Sequence, residues 1–361
     1  MQLQPINIIH TLIIWQSLLF GIVLFTPKYN KKKGNKFLAS LLITFGLHYI
    51  YNLLYTNGYL VDVLPQYGCA YGFLYGPLLY FYVKFHLRKD ASFKPLYWLH
   101  FSPFMLVILT VSYGFLICQS YIIIMLLLGT MLVYCLLGFI EVANYKRILP
   151  QVSSNNNISE TKWLKTFLTG LVVLVFLDIL KLNGGLTIVE IKFPTENMVH
   201  ISVLIFVNII IYQGFKNPLS FQQISTSDLV LTSPNDTKNI ISLSDKKILD
   251  TLAGKVEEHM GSYKPYLKPD LDLATLADAM KVSMRTLSQS INHILGYNFS
   301  EYINSYRIRA AEILLQNNQE DGLTIKEIMY DVGFNSRSVF NTIFKKKTGL
   351  TPSQYKSQQK K

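Results

Sequence analysis

The stretch DGLTIKEIMYDVGFNSRSVFNTIFKKKTG, residues 321–349, decides the fold of the last third of the chain. Its apolar residues recur at helical spacing in two short runs, separated by a turn at Val332, Gly333 and Phe334. The predicted inward-facing residues are Ile325, Ile328, Met329, Val339, Phe340 and Phe344. Gly333 suits the positive backbone angle of a tight turn. The stretch therefore predicts a helix-turn-helix, here named HTH2, whose small turn residue lets two short helices approach.

The same pattern occurs upstream in residues 270–296, which predict a first helix-turn-helix, HTH1. Its predicted inward-facing residues are Leu273, Leu276, Ala277, Met280, Leu287, Ile291 and Leu295. Ser283 is expected to cap the second helix, and Lys281 stands where HTH2 has its glycine. An amphipathic connecting helix over 299–315 joins the two units. An ordinary helical hairpin would explain one copy, but two copies favour a pair of helix-turn-helix motifs.

Charge is distributed unevenly along the chain, which is 50% hydrophobic and 16% charged. Soluble globular domains average about 25% charged residues. Residues 1–237 hold 16 of the 34 basic and 9 of the 22 acidic residues, so 31 of the 56 charges lie in the last 124 residues. This asymmetry excludes a single soluble domain, a disordered chain and a small disulfide scaffold.

The first part of the chain, residues 1–215, contains seven apolar runs close to the length of about 20 residues that crosses a bilayer. The runs are 6–26, 37–56, 64–85, 96–117, 121–140, 163–182 and 198–215. Residues 216–244 are polar and predict a tether, and residues 245–361 form the second predicted domain. Ser244 is expected to begin a helix that Gly261 ends. We therefore expect an all-α protein, in which a seven-helix transmembrane bundle precedes an all-helical double helix-turn-helix domain.

Lys and Arg concentrate in the loops after the first, third and fifth runs. Basic loops favour the cytoplasmic side of a membrane, so the amino terminus is predicted to lie outside. An odd number of spans then places the last third in the cytoplasm. The first run predicts a retained span and not a signal peptide, because no residue before Lys28 is basic. We expect the chain to lie in the bacterial inner membrane and to cross it several times.

Polar residues at membrane depth are candidates for sensing a signal. Asp178 and Lys181, three residues apart, are predicted to share one helix face and to pair. The alternative is that Lys181 only extends to the membrane surface, with Asp178 as its neutralising partner. Cys69, Cys118 and Cys135 lack paired spacing and predict packing residues, not metal ligands or a disulfide. Catalytic and cofactor-binding motifs are absent from the sequence, which predicts a protein that is not an enzyme and has no metal or cofactor.

The second helix of each predicted motif carries side chains suited to DNA. Arg reads guanine, and Asn or Gln reads adenine, through paired hydrogen bonds. The candidates for base readout are Arg285, Ser288, Gln289, Asn292, Ser336, Arg337, Asn341 and Thr342. The run Lys345, Lys346 and Lys347 is better suited to phosphates, where charge adds affinity without sequence information. A solvated helix face would also carry such residues, but their placement in the first turns of both helices favours readout in a groove.

The last third resembles a known family. The residues that carry the resemblance are Asp331 to Ser336, Phe340, Phe344 to Lys346, Thr348 to Tyr355, and upstream Asn304 to Ala311 with Leu314 and Leu315. Together they are similar to the signature of AraC-type transcriptional regulators over about residues 245–356. The resemblance implies a seven-helix DNA reader whose recognition helices, 284–295 and 337–347, enter adjacent major grooves. It does not extend to residues 1–215, which stand where such regulators carry a sensor.

The sequence thus predicts a membrane-bound, one-component transcription factor that binds double-stranded DNA in the cytoplasm. The expected partners are DNA, the lipid bilayer, an effector of unknown identity, a second copy of the chain and RNA polymerase. The alternative is a transporter or channel with a cytoplasmic helical module for regulation or docking.

Overall fold

The computed structural model describes residues 5–27, 29, 33–59, 67–88, 91–115, 120–154, 160–182, 195–216, 243–317 and 322–358. Over these residues every named element is a helix, as the all-α prediction requires. The chain divides into two compact units. The first contains Met1–Ala143 and Glu160–Gln223, and the second contains Asn144–Ser159 and Ile224–Lys361.

The helices between residues 5 and 216 follow the predicted apolar runs. In chain order they are α1 (Pro5–Phe25), α2 (Lys33–Thr56), α3 (Gly68–Leu87), a 3-10 helix (Pro95–Phe101) leading into α4 (Ser102–Ser112), α5 (Tyr121–Val152), α6 (Glu160–Leu182) and α7 (Thr195–Lys216). Two of them differ from the prediction. The predicted run 96–117 begins as a 3-10 helix, and α5 extends 12 residues beyond the predicted 121–140. With 32 residues, α5 is about 48 Å long and is longer than a bilayer core requires.

Among the described residues, four helices are long and apolar enough to cross a membrane. They are Pro5–Phe25, Lys33–Thr56, Pro95–Ser112 and Tyr121–Val152, and Met198–Tyr212 is apolar but shorter. Seven spans therefore stay a prediction. Large apolar side chains on these helices face outward, among them Trp15, which is 71% exposed, and Ile122, which is 70% exposed.

Two contacts show how helices of the first unit approach one another. A Cβ atom at Gly76 of α3 would lie 2.6 Å from Cδ2 of Tyr134 of α5, so only glycine allows this approach. Just beyond α3, Arg88 donates from Nη2 to Oε2 of Glu141 at 2.6 Å, and its Nε donates to the same oxygen at 3.2 Å. Both side chains are largely buried, at 18% and 12% exposure. The ion pair therefore ties the end of α3 to α5.

The second unit contains the predicted double helix-turn-helix. Its helices are α8 (Leu243–Tyr263), α9 (Leu273–Met280), α10 (Met284–Gln289), α11 (Phe299–Asn317), α12 (Ile325–Asp331), α13 (Arg337–Thr348) and α14 (Pro352–Gln358). Helix α8 passes through Gly261, so the predicted end at that glycine is wrong. A buried cluster from α11, α12 and α13 forms the core of HTH2. Most of the predicted tether, residues 217–242, lies outside the described residues.

Candidate nucleic-acid interface

Side-chain caps fix both helices of HTH1. Asp272 precedes α9 and accepts a hydrogen bond from the backbone N–H of Thr275 at 2.8 Å. Ser283 precedes α10 and accepts one from the backbone N–H of Thr286 at 3.0 Å, as the sequence predicts. Between them, Lys281 has a left-handed backbone with φ of 56°. Lysine thus occupies a conformation that favours glycine.

The first recognition helix is not a regular α-helix throughout. Helix α10 ends at Gln289, and Ser290–Ile294 continues it as a π-helix. Ser290 is fully buried and donates from Oγ to the carbonyl oxygen of Leu249 in α8 at 2.8 Å. A π turn widens the helix and redirects the side chains that follow it. The single predicted helix over 284–295 is therefore corrected to an α turn followed by a π turn.

The predicted reading residues of HTH1 differ in exposure. Arg285 is exposed, whereas Gln289 and Asn292 are half-buried. Ser288 is only 7% exposed, and its Oγ accepts a hydrogen bond from Nδ2 of Asn292 at 3.2 Å. The hydroxyl of Ser288 therefore holds the Asn292 amide on this helix face.

The first helix of HTH2 begins with a capping box at Thr324 and Glu327. The carboxylate of Glu327 accepts hydrogen bonds from the backbone N–H of Thr324 at 2.7 Å and from its hydroxyl at 2.8 Å. These hydrogen bonds lower the pKa of the Glu327 carboxyl. Gly333 occupies the turn with φ of 90°, as the sequence predicts.

The second recognition helix, α13, presents its polar residues outward. Arg337 and Thr342 are exposed, and Ser336 and Asn341 are half-buried. Ser336 holds the N-cap position, but its side chain makes no capping hydrogen bond. The hydroxyl of Ser336 therefore does not stabilise the first turn of this helix.

All three lysines at the end of α13, Lys345, Lys346 and Lys347, are exposed. The ammonium of Lys347 lies 5.5 Å from the ring centroid of Tyr297, in the segment that follows the first recognition helix. This cation–π contact links the two motifs and distinguishes Lys347 from the other two lysines.

Arg307 of the connecting helix α11 joins the two motifs from inside, which sequence reasoning missed. The side chain is 1% exposed, its Nε donates to the carbonyl oxygen of Tyr266 at 2.7 Å, and its guanidinium carbon lies 5.5 Å from the ring centroid of Phe334. A Cβ atom at Gly333 would lie 2.7 Å from that same carbonyl oxygen. The turn of HTH2 therefore packs directly on the segment that precedes HTH1.

Residues 276–358 match the model of a family described as a helix-turn-helix domain. The HTH-type transcriptional activator RhaR of Escherichia coli (strain K12) is 31% identical over 90 residues, which cover 25% of this chain and 31% of RhaR. Residues 276–358 are an AraC-type helix-turn-helix domain. The C-terminal domain of AraT, a response regulator from Geobacillus stearothermophilus, is 28% identical and covers 33% of this chain and 88% of that chain, with a TM-score of 0.24.

Histidine kinase P4 of Formosa agariphila is 31% identical to this chain over 117 residues, which cover 32% of this chain and 8% of the kinase. The chain therefore spans under a third of RhaR and a small part of the kinase. The family match covers residues 276–358, so the first unit has to be interpreted from its own residues.

The candidate sensing residues lie in α6, in the unit that precedes the AraC-type domain. Asp178 lines a cavity of 480 Å³ together with His48, Asn52 and Tyr75. Nδ1 of His48 and the hydroxyl of Tyr75 are 2.6 Å apart. The side chain of Lys181 lies outside the described part of the chain, so its predicted pairing with Asp178 stays a prediction.

The cysteines ahead of the AraC-type domain differ from the prediction of three single packing residues. Cys69, at the start of α3, is disulfide-bonded, whereas Cys135 is free and buried. The spacing of Cys69 from the other two cysteines gave no sign of pairing, because helix packing and not sequence distance brings cysteines together. Among the described residues, no group of three or more His, Cys, Asp or Glu side chains is arranged to hold a metal ion.

Proposed function

We propose that the protein is a membrane-bound transcription regulator whose AraC-type domain binds specific DNA sequences. One observation carries the proposal: two helix-turn-helix motifs, braced on one connecting helix, each expose an arginine in the first turn of the second helix. A helix that enters the major groove contacts base edges with the residues of its first turns. Both motifs belong to one compact unit, so we infer that they contact adjacent grooves of one DNA duplex.

We assign distinct roles to the polar residues of the two recognition helices. Arg285 and Arg337 read guanine, and Gln289, Asn292 and Asn341 read adenine. Ser336 and Thr342 add hydrogen bonds to base edges, whereas Ser288, which is buried, positions Asn292. The lysines at 345–347 bind phosphates. Lys347 also contacts Tyr297, so we expect it to contribute both to DNA binding and to the packing between the two motifs.

The test is sequence selection with the full-length chain in detergent, followed by binding measurements at two salt concentrations. Specific affinity should exceed the affinity for random DNA by about 10³ or more. The paired variant Arg285→Ala/Arg337→Ala should lose most of this preference and keep its binding to random DNA. A wild-type chain without sequence preference would instead favour the transporter or channel with a helical docking module, and would remove the transcription role.

We further propose that residues 1–215 cross the inner membrane seven times, with the amino terminus outside. The outward-facing apolar side chains of α1, α4 and α5 support contact with lipid. The disulfide at Cys69 supports an outside position for the start of α3, because disulfides persist in oxidising compartments. A reporter that works only in the cytoplasm should be active after Lys33, Lys89, Lys162 or Lys216 and inactive at Asn57 or Glu190. Reversed activity at two or more sites would contradict the orientation.

The cavity beside Asp178 is our candidate for the effector site. It combines apolar walls with polar groups from α2, α3 and α6, as small-molecule sites do. Leu171 is fully buried and lines this cavity, whereas Phe176 of the same helix is 56% exposed. Leu171→Trp should change transcription from the selected operator by about fivefold or more, and Phe176→Trp should not. Equal effects of both variants would argue against sensing at this cavity.

A second copy of the chain and RNA polymerase complete the proposed partners. One double reader offers a limited contact area, so we expect two membrane-bound protomers to bind together. Cross-linking in membranes with and without operator DNA tests this pairing, and a monomer under both conditions would contradict it.

A further inference from the structure

Residues 153 and 154, directly after α5, make contacts that the sequence does not suggest. They belong to the unit that contains the AraC-type domain. Ser153 pairs with Asp272 in an isolated antiparallel bridge. Ser154 donates to the carbonyl oxygen of Leu271 from its backbone N–H at 3.2 Å and from its hydroxyl at 2.6 Å. Both serines are 1% exposed, so this short segment is buried against the segment that leads into HTH1.

The buried arginine of the connecting helix contacts the same serine. Nη2 of Arg307 donates to the hydroxyl oxygen of Ser154 at 3.1 Å and to the carbonyl oxygen of Lys268 at 2.7 Å. Burial lowers the pKa of Arg307 to about 10, an effect that the nearby Asp270 carboxylate opposes. A buried guanidinium needs hydrogen-bond acceptors in fixed places, because an unpaired buried charge is strongly unfavourable. Ser154 supplies one of these acceptors from outside the DNA-binding helices.

Two of the residues that Ser153 and Ser154 contact, Asp272 and Arg307, also support the helix-turn-helix motifs. Asp272 caps α9, the helix that supports the first recognition helix. Arg307 contacts Tyr266, on which the turn of HTH2 packs. A displacement of residues 153 and 154 therefore acts on the beginning of HTH1 and on the point where the two motifs meet.

We propose that residues 266–272 and Arg307 form a docking site for Ser153 and Ser154 of the same chain, so that the segment directly after α5 stabilises the DNA reader within its own unit. The proposed function is needed only for the consequence of this docking. That consequence is that a movement of α5 changes how the recognition helices meet DNA. The docking itself requires no effector and no DNA.

Cross-linking of the full-length chain in membranes tests the docking. Ser153→Cys and Asp272→Cys are introduced with Cys135→Ser, and a protease site is placed within residues 217–242. After oxidation and cleavage, a docked chain stays one band on a non-reducing gel and separates on reduction. The control pair is Ser153→Cys with Lys281→Cys, because Lys281 lies at the far end of α9, about 13 Å from Asp272, and disulfides require Cα distances of about 4–7 Å.

The disulfide between the cysteines introduced at 153 and 272 should form at least about ten times faster than the disulfide of the control pair. Ser154→Trp should slow it by about tenfold, since an indole does not fit a site that is 1% exposed. Arg147→Trp, at an exposed position of α5, should leave the rate unchanged. Ser154→Ala removes only the hydroxyl and should slow the reaction by about threefold, which keeps the test valid where the Trp variant fails to fold.

Equal rates for the two cysteine pairs would overturn the docking. Operator binding is measured on the same samples, so the two proposals fail separately. Selective DNA binding without the cross-link would contradict only the docking proposal. The cross-link without selective DNA binding would contradict only the proposed function.

Discussion

A Cβ atom at Gly333 would lie 2.7 Å from the carbonyl oxygen of Leu267, so the turn of HTH2 rests on the backbone that precedes HTH1. Gly333 has φ of 90°, and two separate reasons therefore require glycine at this position. The chain offers a comparison in Gly349, which has φ of 80° but no atom within 4 Å of its Cβ position. A comparison of alanine substitutions at these two glycines therefore separates the effect of backbone strain from the effect of crowding around the added methyl group.

Gly333→Ala should lower the free energy of unfolding of the AraC-type domain by about 2–5 kcal/mol, from strain and overpacking together. Gly349→Ala should lower it by about 1–2 kcal/mol, from strain alone. Pulse proteolysis of the full-length chain across a urea series measures both values. Equal losses for the two variants would show that Leu267 yields to the added methyl group.

The two N-cap serines should respond differently to removal of their hydroxyl. Ser283→Ala should cost about 1 kcal/mol of stability, because the side chain of Ser283 accepts a hydrogen bond from the backbone of Thr286. Ser336→Ala should leave stability nearly unchanged, since Ser336 makes no capping bond. Any loss of operator affinity in Ser336→Ala then reports a lost DNA contact. A clear stability loss in this variant would instead reveal a capping role.

Arg337 and Lys346 are predicted to contribute to DNA binding in different ways. Arg337→Ala should cost about 1–3 kcal/mol and relax the preference at one base position, whereas Lys346→Ala should weaken all sequences alike and lower the salt slope by about one. Arg285→Ala should resemble Arg337→Ala. The measurement is binding to the operator and to its single-base variants at two salt concentrations. A uniform loss across all bases for Arg337→Ala would reassign this arginine to a phosphate.

The ion pair between Arg88 and Glu141 should matter to the stability of the first unit. Removal of one partner leaves a largely buried charge unpaired, so Arg88→Ala should destabilise the unit by about 3 kcal/mol. The double variant Arg88→Ala/Glu141→Ala should recover part of this loss. Thermal unfolding in detergent of the two single variants and the double variant completes the cycle. Strictly additive losses would show that the two side chains do not interact.

The capping box of α12 predicts a local dependence on pH. The pKa of Glu327 is lowered in the folded chain, so its contribution to stability is present above the pKa of the unfolded state and disappears as pH falls through the folded value. Gln also completes a capping box but does not titrate. The stability difference between the wild type and Glu327→Gln should therefore shrink in acid. A difference that does not change with pH would contradict this assignment.

Helical periodicity made the helix-turn-helix motifs predictable, since Leu287, Ile291, Phe340 and Phe344 are buried as their spacing indicates. The all-helical class and the location of the AraC-type domain follow from the same pattern. In α8, however, the apolar residue Ile248 is 61% exposed, whereas its neighbour Leu249 is 4% exposed. Periodicity defines a helix face, but the width of the face that becomes buried depends on the neighbouring helix.

The features that sequence reasoning missed depend on residues far apart in the chain. Arg307 and Ser154 are separated by 153 positions, and no local pattern indicates their hydrogen bond. The π turn at 290–294 accompanies the hydrogen bond from Ser290 to Leu249, 41 positions away. The exposed arginines could be named as candidate DNA contacts from the sequence, whereas the burial of Ser288 depends on how α10 packs.

The continuity of α5 also bears on how the chain can change during evolution. Within the second unit, this helix carries both Tyr145, which is 1% exposed, and the residues that lead to Ser153. Each residue inserted between them would turn one end relative to the other by about 100°. An insertion of seven residues would nearly restore the angular phase, with a difference of about 20°. We therefore expect related chains to conserve the length of this interval, or to vary it in heptads, even where its individual residues diverge.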